Sequence, residues 1–214
     1  MTLFASVLTL DKTAIKDLRI TDPYSLHRTI YDLHPDIRTE EEKRDGVPSG
    51  ILYADQGGNA DGRNILLLAN RLPANVVAGR SGMIRSKEIP ESFLEHECYR
   101  FKLVVNPTRR GNADRKLIAL RERAEIMDWL MTRTERNHGF RISPEGSSIE
   151  KIETLRFKDK RGEQITMTQA HAQGLLNVTE RTAFRQSFRL GIGRGRAFGC
   201  GLLQIAPVIQ ASSL

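Results

Sequence analysis

An α+β protein built from two consecutive domains is the fold class this sequence predicts, on three observations. Of its 214 residues, 39% are hydrophobic and 28% charged, an ordinary balance for a chain with a packed core. Short apolar runs of strand composition alternate with stretches of helical period. The order of those elements then restarts near residue 97, and the length suits two small domains.

The first half opens with a strand at 3–10. Thr21-Asp22-Pro23 then starts a helix that runs to about His34, because Asp22 can cap and Pro23 suits the first helical position. Pro35 ends it. Apolar strands follow at 51–54 and 64–70, joined by a hairpin turn through the Gly- and Asp-rich stretch 55–62. Residues 72–86 are ambiguous, read as a short helix and a weak strand, and 86–97 read as a linker. The second half runs strand 98–106, helix 120–136, strand 149–157, a basic turn 158–162, and a returning strand within 163–178. A helix capped by Thr179 and carrying Phe184 and Phe188 comes next, then a glycine-rich loop 191–199 and a strand 200–206. Tail residues 210–214 read as disordered. The second half is therefore β-α-β-β-α-β, the split βαβ order, and the first half is a poorer copy. The expected architecture is two tandem ferredoxin-like (RRM-like) domains, 1–88 and 97–209.

A net charge of +7 favours a polyanionic partner, although composition alone leaves nucleic acid and a merely basic surface equally open. Cys98 and Cys200 form neither a disulfide framework nor a zinc pattern, which points to a reducing compartment. No secretory leader and no membrane-length apolar run is read, so the expected location is cytoplasmic, without membrane association.

The first helix carries two faces. At about 100° per residue, Leu26, Ile30 and Leu33 gather on one side as a core stripe. Tyr24, His27, Arg28 and Tyr31 gather on the other. Such a face suits cleavage of RNA by its own 2′-hydroxyl. Histidine can take or give a proton near neutral pH, tyrosine can orient the nucleophile, and arginine can clamp the phosphate. A solvated polar face with an incidental histidine fits the same residues.

Gly191, Gly193, Gly195, Gly199 and Gly201 make the C-terminal loop unusually permissive, and Arg194 and Arg196 charge it. The spacing fits neither a dinucleotide fingerprint nor a phosphate-binding P-loop. Close approach of a phosphate backbone and tight packing against neighbouring structure are both open. Arg109, Arg110, Arg115 and Lys116 form a dense basic loop, suited to a duplex backbone or to solvent. Lys43 and Arg44 read as solvated charge. His34, His96, His138 and His171 are scattered without ligand spacing, and no carboxylate cluster is seen, so neither a metal nor a cofactor is expected. Trp129, among Ile126, Met127, Leu130 and Met131, reads as core.

Taken together, three segments resemble the CasE family of CRISPR repeat-processing endoribonucleases, the nuclease subunits of Cascade-type complexes. Asp22-Pro-Tyr-Ser-Leu-His-Arg-Thr-Ile30 is similar to that family's first helix. Phe101-Lys-Leu-Val-Val-Asn-Pro-Thr-Arg-Arg110 is similar to its central strand. Gly191 to Leu203, followed by Ala206-Pro207, is similar to its terminal glycine loop and strand. The resemblance implies tandem ferredoxin-like domains and metal-independent cutting at the 3′ base of a repeat stem-loop. The ends would be a 5′-hydroxyl and a 2′,3′-cyclic phosphate. It places the catalytic histidine at His27, the assisting tyrosine at Tyr24 and a basic neighbour at Arg28. It also places a groove-entering hairpin at Arg156, Lys158, Lys160 and Arg161. Its implied partners are precursor and mature guide RNA and the other subunits of a Cascade-type complex. A non-catalytic RNA-binding or scaffold subunit is the competing expectation.

Overall fold

The computed structural model describes residues 2–59, 62–74, 76–77, 80–81, 83–111 and 116–208. Arg115 and the 210–214 tail lie outside the described residues. The chain separates into two compact units. The first comprises Met1–Ile89, Arg156–Ile165 and Arg196–Gly199; the second comprises Pro90–Leu155, Thr166–Gly195 and Cys200–Leu214.

In the first unit, β1 (Phe4–Leu10) leads into α1 (Lys12–Asp17), α2 (Pro23–Asp32) and α3 (Glu40–Arg44). Then come β2 (Ile51–Asn59), β3 (Gly62–Ala69), the small pair β4 (Val76–Val77) and β5 (Arg80–Ser81), and β6 (Ile84–Glu88). The sheet order β2-β3-β1-β6, antiparallel throughout, is the ferredoxin-like order. Alternation along β1 buries Ser6, Leu8 and Leu10, with Leu8 opposite Ile65 of β3. Leu26, Ile30 and Leu33 of the α2 segment complete this core with Ile51, Tyr53 and Leu67. Each such fully buried side chain contributes roughly 1.5–3 kcal/mol.

Two strand expectations need correction here. The strand β6 straddles the ambiguous stretch 72–86 and the stretch read as a linker, and pairs with β1 from Phe4↔Glu88 to Leu8↔Ile84. Residues 85–88 are all exposed, so no alternation betrays the strand; its ladder and a 2.8 Å Ser6–Ser86 hydroxyl bond hold it. Charged edge strands of this kind resist pairing with other chains. The second is β2, which continues through the expected turn to Asn59, with an irregularity between Asp55 and Gly58. Arg63 donates to the Asp55 carboxylate at 2.9 Å across the ladder, which makes an acidic residue tolerable there.

The second unit starts with β7 (Cys98–Val105), followed by a hairpin of β8 (Thr108–Arg110) and β9 (Leu117–Ala119). Then follow α4 (Arg123–Asn137), β10 (Phe140–Ile142), β11 (Ser148–Lys158), β12 (Gln164–Val178), α5 (Arg181–Leu190) and β13 (Gln204–Pro207). The order is β10-β12-β7-β13, with β11 also on β12, so the second ferredoxin-like strand is split into β10 and β11. Tyr99, Phe101, Leu103 and Val105 of β7 are buried, as are Ile126 and Leu130 of α4 and Phe184 of α5, whose ring lies 5.4 Å from that of Tyr99.

Local chemistry moves two boundaries. The α5 cap is Glu180, not Thr179: its carboxylate accepts from the amides of Thr182 and Ala183 at 2.7 and 2.6 Å. The amide of Thr179 donates instead to the Gly139 carbonyl. Gly139 sits at φ +71°, and a Cβ there would fall 2.3 Å from the Glu180 carbonyl oxygen, so only glycine fits this junction. The last strand starts at Gln204, because left-handed backbone at Gly199 and Gly201 delays the extended run. Trp129 is also misplaced by sequence reasoning. The buried stripe of α4 is Ile126, Leu130 and Thr134, and Trp129 lies beside it, half-exposed.

Candidate active site

The helix α2 is built to hold its polar face still. The Asp22 carboxylate accepts from the Ser25 amide at 2.7 Å, and the Ser25 hydroxyl accepts from the Asp22 amide at 3.0 Å. This reciprocal cap, with Pro23 in the first turn, is worth about 1 kcal/mol. Leu26 and Ile30 anchor one face in the core. Tyr24 and His27 are half-buried on the other, and Arg28 is exposed, as the helical wheel requires.

His27 sits among rings. Its centroid lies 4.2 Å from Tyr31, 5.7 Å from Phe198 and 6.3 Å from Tyr24. Phe198 belongs to the short turn Arg196–Phe198, packs 4.7 Å from Phe157, and falls within the same unit as α2. Behind it the Tyr53 hydroxyl donates to the Ala197 carbonyl at 2.8 Å. Gly199 next in line is left-handed at φ +84°, and a Cβ there would lie in tight contact with the Tyr53 ring, at 3.2 Å. The glycine loop therefore lays residues 196–199 close to this helix. Tyr31 is held by its hydroxyl against Ser49 Oγ at 2.9 Å, and Arg71 donates to the Ser49 carbonyl at 3.0 Å. Phe198, Ala197, Ser49 and Arg71 are neighbours that sequence reasoning did not find, since only tertiary folding brings them to α2.

Burial pushes the His27 pKa below its ordinary value of 6.5. The hydrogen bond at the Ala197 carbonyl and the charge of Asp32 raise it again without offsetting burial. His27 Nδ1 is buried without a hydrogen-bond partner among the described residues. The ring is thus biased toward the neutral form, the form a proton acceptor needs. His34 is fully buried, and His138 half-buried with Nδ1 2.8 Å from Ser187 Oγ; burial lowers both. Unfolding releases all three rings to an ordinary affinity for protons near pH 6.5. The unfolded chain then binds more protons as pH falls, so stability is full above that pH and declines below it. Asp36, Glu153 and Glu180 have depressed pKa values and titrate at lower pH, outside this window. Urea midpoints measured between pH 7.5 and 5.5 should fall steadily; a flat or rising series would contradict the three neutral rings.

The basic residues divide between the units. Arg156, Lys158, Lys160 and Arg161 are all exposed at the far end of the β11–β12 hairpin, in the first unit with α2. Arg196 lies on the turn that carries Phe198. Arg109 and Arg110 are exposed on β8 and Lys116 just before β9, in the second unit with Arg194. Arg109 is paired with Glu125 at 3.3 Å. Lys43 pairs with Glu40 at 2.6 Å, consistent with solvated charge. Among the described residues no group of three or more His, Cys, Asp or Glu side chains is placed to hold a metal ion. Among them, too, no helix is long and apolar enough to cross a membrane.

Fold and site together define a tandem ferredoxin-like protein with a shielded histidine on its first helix. A family model described as CRISPR associated protein matches residues 3–207. The chain belongs to this family. It is 22% identical over 210 residues to the CRISPR system Cascade subunit CasE of Escherichia coli, covering 93% of this chain and 99% of that one. It is 33% identical over 117 residues to the CRISPR-associated endoribonuclease Cse3 of Thermus thermophilus, covering 50% of this chain and 55% of that one. The fold is similar to that of Thermus thermophilus Cse3 bound to an RNA representing a pre-cleavage complex. The TM-score is 0.77 at 24% identity, over 97% of this chain and all of that one.

Proposed function

We propose that this protein is a CRISPR repeat endoribonuclease that works without a metal ion. Its catalytic helix lies in an N-terminal ferredoxin-like domain, 1–88, and its glycine loop and basic hairpin belong in sequence to a C-terminal one, 97–209, although Arg156–Ile165 and Arg196–Gly199 pack in the same compact unit as that helix. The observation that carries the reading is the desolvated, neutral-biased His27 ring, packed among Tyr31, Phe198 and Tyr24 on a helix with a reciprocal N-terminal cap. Relatives named as a Cascade subunit and as an RNA-bound endoribonuclease support it.

In the proposed reaction RNA displaces the Ala197 carbonyl from the imidazole, the ring proton moves to the other nitrogen, and the freed nitrogen faces the 2′-hydroxyl. Unliganded geometry commonly tightens in this way on substrate binding. His27 takes the 2′ proton, O2′ bonds to the adjacent phosphorus, and the P–O5′ bond breaks. The leaving oxygen takes a proton from solvent water and becomes a 5′-hydroxyl, and the phosphorus is left as a 2′,3′-cyclic phosphate. Tyr24 orients the reacting ribose and Arg28 clamps the phosphate. Arg156, Lys158, Lys160 and Arg161 grip the stem. Arg109, Arg110, Arg115, Lys116, Arg194 and Arg196 contact the RNA backbone. The product stays bound as guide RNA in a cytoplasmic Cascade-type complex.

The test is incubation with the repeat hairpin of its own array in excess EDTA. Cleavage at the 3′ base of the stem is expected, with a cyclic phosphate on the upstream fragment. Binding without cleavage would favour the non-catalytic scaffold, and cleavage only on adding a divalent ion would overturn the mechanism.

A further inference from the structure

In the second unit Trp129 lines two unlike cavities, both of which Arg109 and Arg133 also line. One is lined by Glu125 and Asp128 as well as Arg109, Arg133 and Arg136. The other, of about 450 Å³, is lined by Asn106, Thr108, Trp129, Arg109, Arg110, Arg133 and Arg194 among others, with no carboxylate among the described residues of its wall. Four guanidinium groups without an acidic partner in that wall make it a site for an anion. Arg133 also stands over the Trp129 ring, 5.5 Å from its centre, and its buried Nε has no hydrogen-bond partner among the described residues. Arg109 has Glu125 on its other side, so Arg110, Arg133 and Arg194 are left as the main anion contacts. Asn106 offers an amide donor and acceptor in the same wall.

We propose that this cavity binds one unpaired nucleotide of the RNA, its base stacked against Trp129 and its phosphate among Arg110, Arg133 and Arg194. The proposal rests on the RNA-binding reading above and adds to it a site for single-stranded flank rather than stem. A paired base cannot reach an aromatic face, because its own faces are stacked in the duplex, whereas an unpaired base can. The volume is in the range of small-ligand pockets. Placement on the carboxylate-free side follows from the charge of the phosphate.

Trp129 is the sole tryptophan in the chain, so its emission reports this site alone. Single-stranded oligoadenylate should quench it saturably, and less so as salt rises. Trp129→Ala should weaken binding of a labelled hairpin bearing an unpaired oligoadenylate flank by roughly tenfold, the effect of losing one stacked base. The same hairpin without the flank should bind within about twofold of wild type, which also shows that the variant is folded. Trp129→Phe should keep most of the flank effect, and Arg133→Gln, which retains the fluorophore, should lose most of the quenching. Equal loss of affinity for flanked and unflanked hairpins would overturn the proposal, as would equal quenching by adenosine triphosphate at the same concentration. Normal hairpin binding with no flank advantage would remove this site alone. Failure of every RNA to bind would remove it together with the RNA reading.

Discussion

Substitution of His27 by alanine is expected to slow single-turnover cleavage of the repeat hairpin by roughly 10²–10⁴-fold, the usual worth of a positioned proton-transfer group. Binding of the same hairpin should stay within a few-fold of wild type. His27 supplies no fixed charge at neutral pH, since burial holds its ring neutral, and the helix that carries it keeps its cap and its Leu26 and Ile30 anchors. The pH profile of wild-type cleavage separates this role from a structural one. A base must be unprotonated, so the rate should climb with pH through the His27 pKa and level off beyond it. Because that pKa is lowered, the midpoint of the climb should lie below 6.5. Phe198→Ala opens the ring to water and should move the midpoint up toward 6.5 while the rate falls. A mutant that cuts at the wild-type rate, or a rate that drops as pH rises through about 6, would remove His27 from the role of base.

The helix bearing His27 was legible because its signals are local. Asp22 and Pro23 mark its start, and Leu26, Ile30 and Leu33 repeat at helical spacing within a dozen residues. The wheel alone then put Tyr24, His27, Arg28 and Tyr31 on one face. What the wheel could not show is the cover over the histidine. Phe198 and the Ala197 carbonyl arrive from the far end of the chain, and their placement depends on Gly199 and the Tyr53 hydroxyl. Sequence patterning reports which face of an element is apolar but not which distant segment covers the opposite face. The same limit left β6 only half-legible, as a weak strand ending at residue 86, because its exposed Arg85-Ser86-Lys87-Glu88 stretch is held by ladder bonds rather than burial. It also misassigned Trp129. An aromatic residue next to Ile126 and Leu130 reads as core, yet the turn of the helix puts it at the margin, against arginines.

Neutralising the hairpin end, with Arg156, Lys158, Lys160 and Arg161 all changed to glutamine, should weaken RNA binding by roughly 10²–10³-fold near physiological salt. The salt slope should shrink by up to about 0.9 for each phosphate that the variant no longer neutralises. The geometry makes these charges more effective than loose surface lysines. Phe157 is buried against Phe198, so strand alternation turns Arg156 and Lys158 outward together. Beyond them the turn is fixed by Asp159, whose carboxylate accepts from the amides of Arg161 and Glu163 at 2.8 and 2.9 Å. Little conformational entropy remains to be lost there when RNA docks. All four side chains are exposed, so the change should leave the urea midpoint nearly where it was. Cleavage at saturating protein should fall only a few-fold, because in the proposed reaction the hairpin positions the stem while His27 moves the proton. By contrast, Arg109→Gln should cost far less affinity, since Glu125 already holds that guanidinium at 3.3 Å and must release it to a phosphate. An unchanged salt slope in the fourfold variant would show that the hairpin does not touch the RNA backbone. A larger loss from Arg109→Gln than from all four hairpin changes would shift the main stem contact to the β8–β9 hairpin.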